Sequence, residues 1–112
     1  MDHCIFCSIA QKKMEASILL ENEDVIAIKD IQPQAPVHVL IIPKKHYADI
    51  LAVHDEALTG AIIAAAQEVA KLCRIDESGF RIVVNTGADG RQTVGHLHFH
   101  VLGGAKLSAK MA

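Results

Sequence analysis

Three histidines at alternate positions, His96, His98 and His100, are the residues of this chain best suited to chemistry. Imidazole exchanges protons, attacks electrophiles and ligates metals near neutral pH. Side chains alternate faces along a strand. The three imidazoles are therefore expected on one face, with Leu97, Phe99 and Val101 on the core face. Two chemistries are open to such a row. Strand histidines can hold a catalytic metal. Alternatively, one imidazole is a nucleophile and its neighbours handle protons and charge. The surroundings favour the nucleophile. Metal-bound histidines are commonly oriented by carboxylates, and no Asp or Glu occurs between His96 and Ala112. A glycine-rich stretch, Asn85-Thr-Gly-Ala-Asp-Gly-Arg-Gln-Thr-Val-Gly95, leads into the histidines instead. Glycines let backbone N–H groups approach an anion, and Thr93 adds a hydroxyl. A nucleophilic imidazole needs its second ring nitrogen held by an acceptor, and a backbone carbonyl serves without a carboxylate.

Cys4 and Cys7 form a second group, spaced C-x-x-C. They read as half of a zinc site, as a redox pair, or as two small apolar residues. The redox reading wants a thioredoxin-like βαβ setting, which the residues around them do not supply. Cys73 falls on a helix and reads as core. An odd count of three cysteines, without a secretory signal pattern, points to a reducing cytoplasm.

The elements that position these groups follow from apolar spacing. Residues 5–13 predict a short helix with Ile5, Phe6, Ile9 and Ala10 on one side. Residues 17–21 and 25–29 are apolar runs around Asn22-Glu23-Asp24, a hairpin signal. Pro33 and Pro36 make residues 30–37 a loop. His38-Val-Leu-Ile-Ile predicts a buried strand stopped at Pro43. Residues 55–74 predict one long helix with Asp55 as N-cap. Leu58, Ile62, Ala65, Val69 and Leu72 recur at helical spacing. Ile63, Ala66, Ala70 and Cys73 widen the apolar arc to roughly 200°, against about 100° for a one-sided helix. A helix buried that widely implies two partners, its own sheet and a second subunit. Residues 80–85 predict a strand, 86–95 a loop, and 96–102 a last strand ended by Gly103-Gly104. Short connections favour an antiparallel sheet with helices on one face, an α+β domain spanning residues 1–112.

Composition sets the outer bounds. The chain has 112 residues, 51% hydrophobic and 21% charged, which excludes disorder. A net charge of −2 gives no footprint for bulk nucleic-acid binding. No apolar run reaches the ~20 residues of a membrane span, so no membrane partner is expected.

The motifs resemble a known family. His96-Leu-His-Phe-His-Val-Leu102 matches the His-φ-His-φ-His-φ-φ signature of the histidine triad (HIT) superfamily at every position, φ being apolar. The stretch Asp30-Ile-Gln-Pro-Gln-Ala-Pro-Val-His38-Val-Leu-Ile-Ile-Pro-Lys-Lys-His46 and the Leu102-Gly-Gly tail resemble its Hint branch. The resemblance implies a five-stranded antiparallel sheet with one long and one short helix, continued across a homodimer. It implies hydrolysis of purine nucleoside phosphoramidates, in which AMP or GMP is linked through P–N to an amine. Rival readings are a nucleotide-binding regulatory module with vestigial activity and a dinucleoside polyphosphate hydrolase. By resemblance His98 is the nucleophile, and His100 touches the phosphate and helps protonate the leaving amine. His38 matches the fourth active-site histidine. Asp30 matches the ribose-binding carboxylate, with Ile31 beside it against the base. Asn85, Arg91, Gln92 and Thr93 match the phosphate-contacting loop, and the Thr93 hydroxyl joins the catalytic set. Ile5, Phe6, Ile9 and Ile28 are expected walls of the purine slot.

The chain also departs from that branch. Thr93 stands where Ser is common, and Thr86 and Gly95 stand where bulkier residues, often Glu and Tyr, are found. Some bacterial-type HIT proteins and the related hexose-phosphate uridylyltransferases carry a structural zinc. Cys4, Cys7, His46 and His96 match its ligands. The resemblance thus implies a structural zinc and no catalytic metal. His3 and His54 match nothing and are expected at the surface, with His3 a possible competing ligand.

Overall fold

The computed structural model describes residues 4–110; His3 lies outside them. The order is α1 (Ile5–Ala10), β1 (Ile18–Glu21), β2 (Val25–Lys29), β3 (Val37–Pro43), a 3₁₀ turn (Ile50–Ala52), α2 (Glu56–Leu72), β4 (Phe80–Val83) and β5 (Phe99–Gly103). The five strands form one sheet in the order β1-β2-β3-β5-β4, and every neighbouring pair is antiparallel. The β1–β2 hairpin forms where Asn22 invites it. Its Oδ1 accepts from Asp24 N at 2.8 Å and Val25 N at 3.0 Å, a side-chain turn that leaves the backbone free to reverse.

β2 and β3 are apolar at nearly every position, and both of their faces are covered. Val25, Ala27, Val39 and Ile41 join Leu58, Ile62, Ala65, Ala66, Val69 and Ala70 of α2 in one core. Ile26, Ile28, Leu40 and Ile42 join Phe6 and Ile9 of α1 in another, on the opposite face. The expectation of helices on one face is therefore corrected: the two helices sandwich the sheet. The continuous runs Val25-Ile-Ala-Ile and Val39-Leu-Ile-Ile have no polar face to leave in water.

Asp55 caps α2, its Oδ1 accepting from Ala57 N at 2.9 Å and Leu58 N at 3.4 Å. The wide apolar arc of α2 is buried at Ala66 and Ala70 but open at Ile63 and Leu72. α1 ends at Ala10 rather than Lys13, because Lys12 turns to a left-handed φ of 63°. β4 stops at Val83, two residues before its expected end. β5 begins at Phe99 rather than His96. Residues 96–98 are held by other bonds: Leu97 N donates to the Tyr47 carbonyl at 2.7 Å, and the His96 ring bonds to the Pro43 carbonyl. No helix of the described residues is long and apolar enough to cross a membrane.

Candidate active site

β3 and β5 are adjacent, and their register places His38 opposite Leu102 and Leu40 opposite His100. Cross-strand partners share a face. His38 and His100 therefore lie on the α1 face, where α1 is too short to cover the sheet. Phe6 of α1 meets His98 edge-on, with ring centroids 5.0 Å apart. His98 in turn lies 5.0 Å, centroid to centroid, from His100.

Hydrogen bonds fix the proton positions on these rings. His98 Nδ1 is 2.8 Å from the His96 carbonyl oxygen. A carbonyl only accepts, so Nδ1 carries the proton and Nε2 keeps its lone pair. The Gln34 backbone N–H donates to His38 Nδ1 at 3.0 Å. The proton of neutral His38 is therefore on Nε2, which lies 2.9 Å from His100 Nδ1 and 3.4 Å from Asp30 Oδ2. His100 Nδ1 accepts it, and His100 presents Nε2–H. The same face thus offers a bare nitrogen on His98 and an N–H on His100.

Burial favours the neutral forms of His100 and His38. Loss of water, then the neighbouring His98 and His38, push His100 down to about 4, against the raising effect of Asp30. His38 is also lowered by burial, partly offset by Asp30.

A cavity of about 440 Å³ opens on His38, His98 and His100. Ile5, Phe6, Ile9 and Ile28 line it, as do Asp30, Ile31 and Thr93. Ile31, an apolar residue of this lining, is 92% exposed. Asp30 Oδ1 accepts from Gln32 N at 2.8 Å, which sets the loop that carries it. Gln34, Met14, Glu15 and Ala16 also line this cavity. They escape a motif-based reading, since Gln34 acts through its backbone and residues 14–16 sit in a plain connection. The Pro33–Pro36 spacing was the available signal for a rigid turn around Gln34.

The glycine-rich loop divides its residues. Thr93 reaches the cavity. Asn85 lies on the other flank of His100, beside a second cavity of about 320 Å³. Gln92 does not reach either one: its amide spans the loop, accepting from Gly87 N and donating to the Ala48 and Val94 carbonyls. Arg91 is exposed, lines neither cavity, and holds a left-handed φ of 62°. The loop is tight at Gly90, where a Cβ would meet the Thr86 carbonyl oxygen at 2.5 Å.

A separate cluster brings Cys4, Cys7, His46 and His96 together, one donor atom from each lying within 4.8 Å of the others. Cys4 Sγ and Cys7 Sγ are 3.2 and 3.5 Å from His96 Nδ1. His46 Nδ1 is 3.3 Å from Cys7 Sγ and 3.1 Å from His96 Nδ1. His96 Nε2 donates to the Pro43 carbonyl at 2.8 Å, so its Nδ1 lone pair faces the cluster centre. These four residues can hold a metal ion. His54 is exposed.

The comparisons with known proteins agree with the site. The HIT domain matches residues 11–107. Protein HitA of Neisseria gonorrhoeae is 40% identical over 105 residues, covering 92% of this chain and 97% of that protein. A HIT family hydrolase from Clostridium thermocellum has a TM-score of 0.95 at 43% identity, covering 100% of this chain and 99% of its own. A histidine triad nucleotide-binding protein from Candida albicans has a TM-score of 0.83 at 29% identity, covering 97% and 86%. The chain belongs to the HIT domain family. It is an enzyme of the HIT hydrolase class.

Proposed function

We propose that this enzyme belongs to the Hint branch and hydrolyses the P–N bond of purine nucleoside phosphoramidates through a nucleotidyl-His98 intermediate. The observation that carries this reading is the pair of fixed tautomers. His98 offers a bare Nε2 beside the Nε2–H of His100, in a cavity lined largely by apolar side chains. In the first step a bond forms from His98 Nε2 to phosphorus, and the substrate P–N bond breaks. The electron pair leaves on the amine nitrogen, which takes the proton of His100 Nε2. The His98 Nδ1–H bond to the His96 carbonyl spreads the positive charge gained by that ring. The His38 Nε2–H bond offsets the negative charge left on His100. In the second step water attacks phosphorus, its proton returns to His100, and His98 recovers its lone pair. Ile5, Phe6, Ile9, Ile28 and Ile31 hold the purine, Asp30 the ribose hydroxyls, and Thr93 and Asn85 the phosphate.

No metal is needed for these steps. A metal at Asp30, His38 and His100 would need the His38 Nε2 lone pair, yet the Gln34 N–H puts the proton on that atom.

The Cys4, Cys7, His46 and His96 donors suit zinc. A tetrahedron with zinc–ligand bonds of about 2.3 Å to sulfur and about 2.05 Å to nitrogen has edges of roughly 3.5 Å for S···N and 3.3 Å for N···N. The S···N separations named above are 3.2–3.5 Å and the N···N separation is 3.1 Å. Zinc there closes a four-ligand site and has a structural role.

The enzyme works as a cytoplasmic homodimer with a continuous sheet. Three free thiols suit a reducing compartment. β4 is an edge strand, and Phe80 and Ile82 are 39% and 40% exposed.

The test is a screen of adenosine and guanosine phosphoramidates against dinucleoside polyphosphates, with His98→Ala as control. Phosphoramidates should turn over in preference, and His98→Ala should abolish turnover while nucleotide binding survives. Retained turnover in His98→Ala refutes the nucleophile.

A further inference from the structure

Away from the histidines the nucleotide cavity is lined mostly by apolar side chains, and its polar lining there includes Glu15, Lys29, Asp30, Gln32 and Gln34. Met14 and Ala16 flank Glu15, and Ala16 packs on the Phe6, Ile9 and Ile28 cluster. The next residue is pinned too, since the Ser17 carbonyl accepts from Lys29 N at 2.9 Å. Glu15 is thus held on a short anchored connection at the rim of the slot.

Most other charged or amide side chains around the cavity have employment elsewhere. Asp30 bonds to Gln32 N and faces His38. The Gln34 amide donates to the Gln32 carbonyl at 3.3 Å. Lys29 pairs with Val39, a residue of the α2-side core, so its side chain leaves on the opposite face of the sheet. Lys12 and Lys44 are both tied to Glu21. Among the described residues Glu15 makes no ion pair and no side-chain hydrogen bond, so both of its oxygens are free to accept.

From this placement we infer that Glu15 is a specificity-determining residue that selects guanine over adenine. The inference rests on the nucleotide-binding reading above. A carboxylate accepts only, and two parallel bonds to one edge are its strongest arrangement. The guanine edge carries N1–H next to the exocyclic N2 amine, two donors side by side. The adenine edge carries one amine next to the N1 lone pair, which a carboxylate repels. The apolar side chains accept either ring, so discrimination falls to Glu15.

The test is calorimetric titration of the intact protein with GMP, IMP and AMP. Wild type should bind GMP roughly tenfold tighter than AMP, the size of one charge-assisted hydrogen bond, with IMP between them. In Glu15→Ala and Glu15→Gln the ratio should fall to about two or less, with melting temperature unchanged because the side chain is exposed. A wild-type ratio of about two or less, or a ratio that survives in Glu15→Ala, overturns the assignment. So does failure of all three nucleotides to bind, which sinks the nucleotide reading with it. A preserved GMP preference without phosphoramidate turnover would remove the proposed reaction and leave the Glu15 assignment standing.

Discussion

Single protons decide what each histidine does. His98 and His96 are two residues apart, and each donates one ring proton to a backbone carbonyl, but from opposite nitrogens. His98 donates from Nδ1 and keeps Nε2 for attack. His96 donates from Nε2 and turns Nδ1 to the cysteines. The residue types and spacing were legible in the sequence, and so was the need for a carbonyl acceptor. Which nitrogen each ring uses was not legible: His98 answers to the His96 carbonyl within the motif, but His96 answers to the Pro43 carbonyl and His38 to the Gln34 N–H, both outside it. A pH consequence follows at this scale. His100 is held at about 4, against 6.5 for a free imidazole. Between those values the unfolded chain binds a proton that the folded chain refuses. Stability is therefore complete above about pH 6.5 and is lost as pH falls toward 4. The melting temperature should drop on the order of 5 °C over that window, and less in His100→Gln. Equal slopes for the two proteins would remove His100 as the cause. Turnover should show no loss from His100 protonation between pH 5 and pH 8.

Among the elements, α1 has the least support of its own. Six residues are too few for a helix to persist alone in water, where about 12–15 are needed. Phe6 and Ile9 anchor it to the sheet, and Cys4 and Cys7 tie it to His46 and His96. Purified protein should therefore carry about one zinc per chain. Chelation should lower the melting temperature and release α1, seen as lost helical signal and a faster exchange of its amides. Activity that vanishes under chelation with the melting temperature intact would contradict a structural role. The strands and α2 were readable because their apolar periods are regular. The side on which α1 packs was not, since alternation along β2 and β3 is erased when both faces are apolar. The start of β5 was missed for a related reason: residues 96–98 keep the alternation of a strand, but Pro43 and Tyr47 take their bonds.

At the scale of the whole molecule, the β4 edge of the sheet carries exposed apolar side chains. α2 lies over β1, β2, β3 and β5, and the α2-side residues of β4, Phe80 and Ile82, are 39% and 40% exposed. An apolar edge strand invites pairing with another chain. Light scattering at micromolar concentration should give twice the 12.1 kDa of one chain. Ile82→Asp should shift it toward the monomer, because a buried unpaired charge opposes association by several kcal/mol. A wild-type monomer at that concentration ends the dimer reading. The sequence hinted at this through the wide apolar arc of α2, although Ala66 and Ala70 of that arc serve the internal core.

The alternation of β5 has one more consequence. Val101 faces the α2 core while His100 and Leu102 face the site, so stability and reactivity are written on interleaved positions of one strand. Substitutions can alter one set without the other. An insertion or deletion of a single residue within Phe99–Gly103 breaks that alternation and turns the residues beyond it to the opposite face. The spacing of that segment is a heritable constraint as strict as the identity of its histidine.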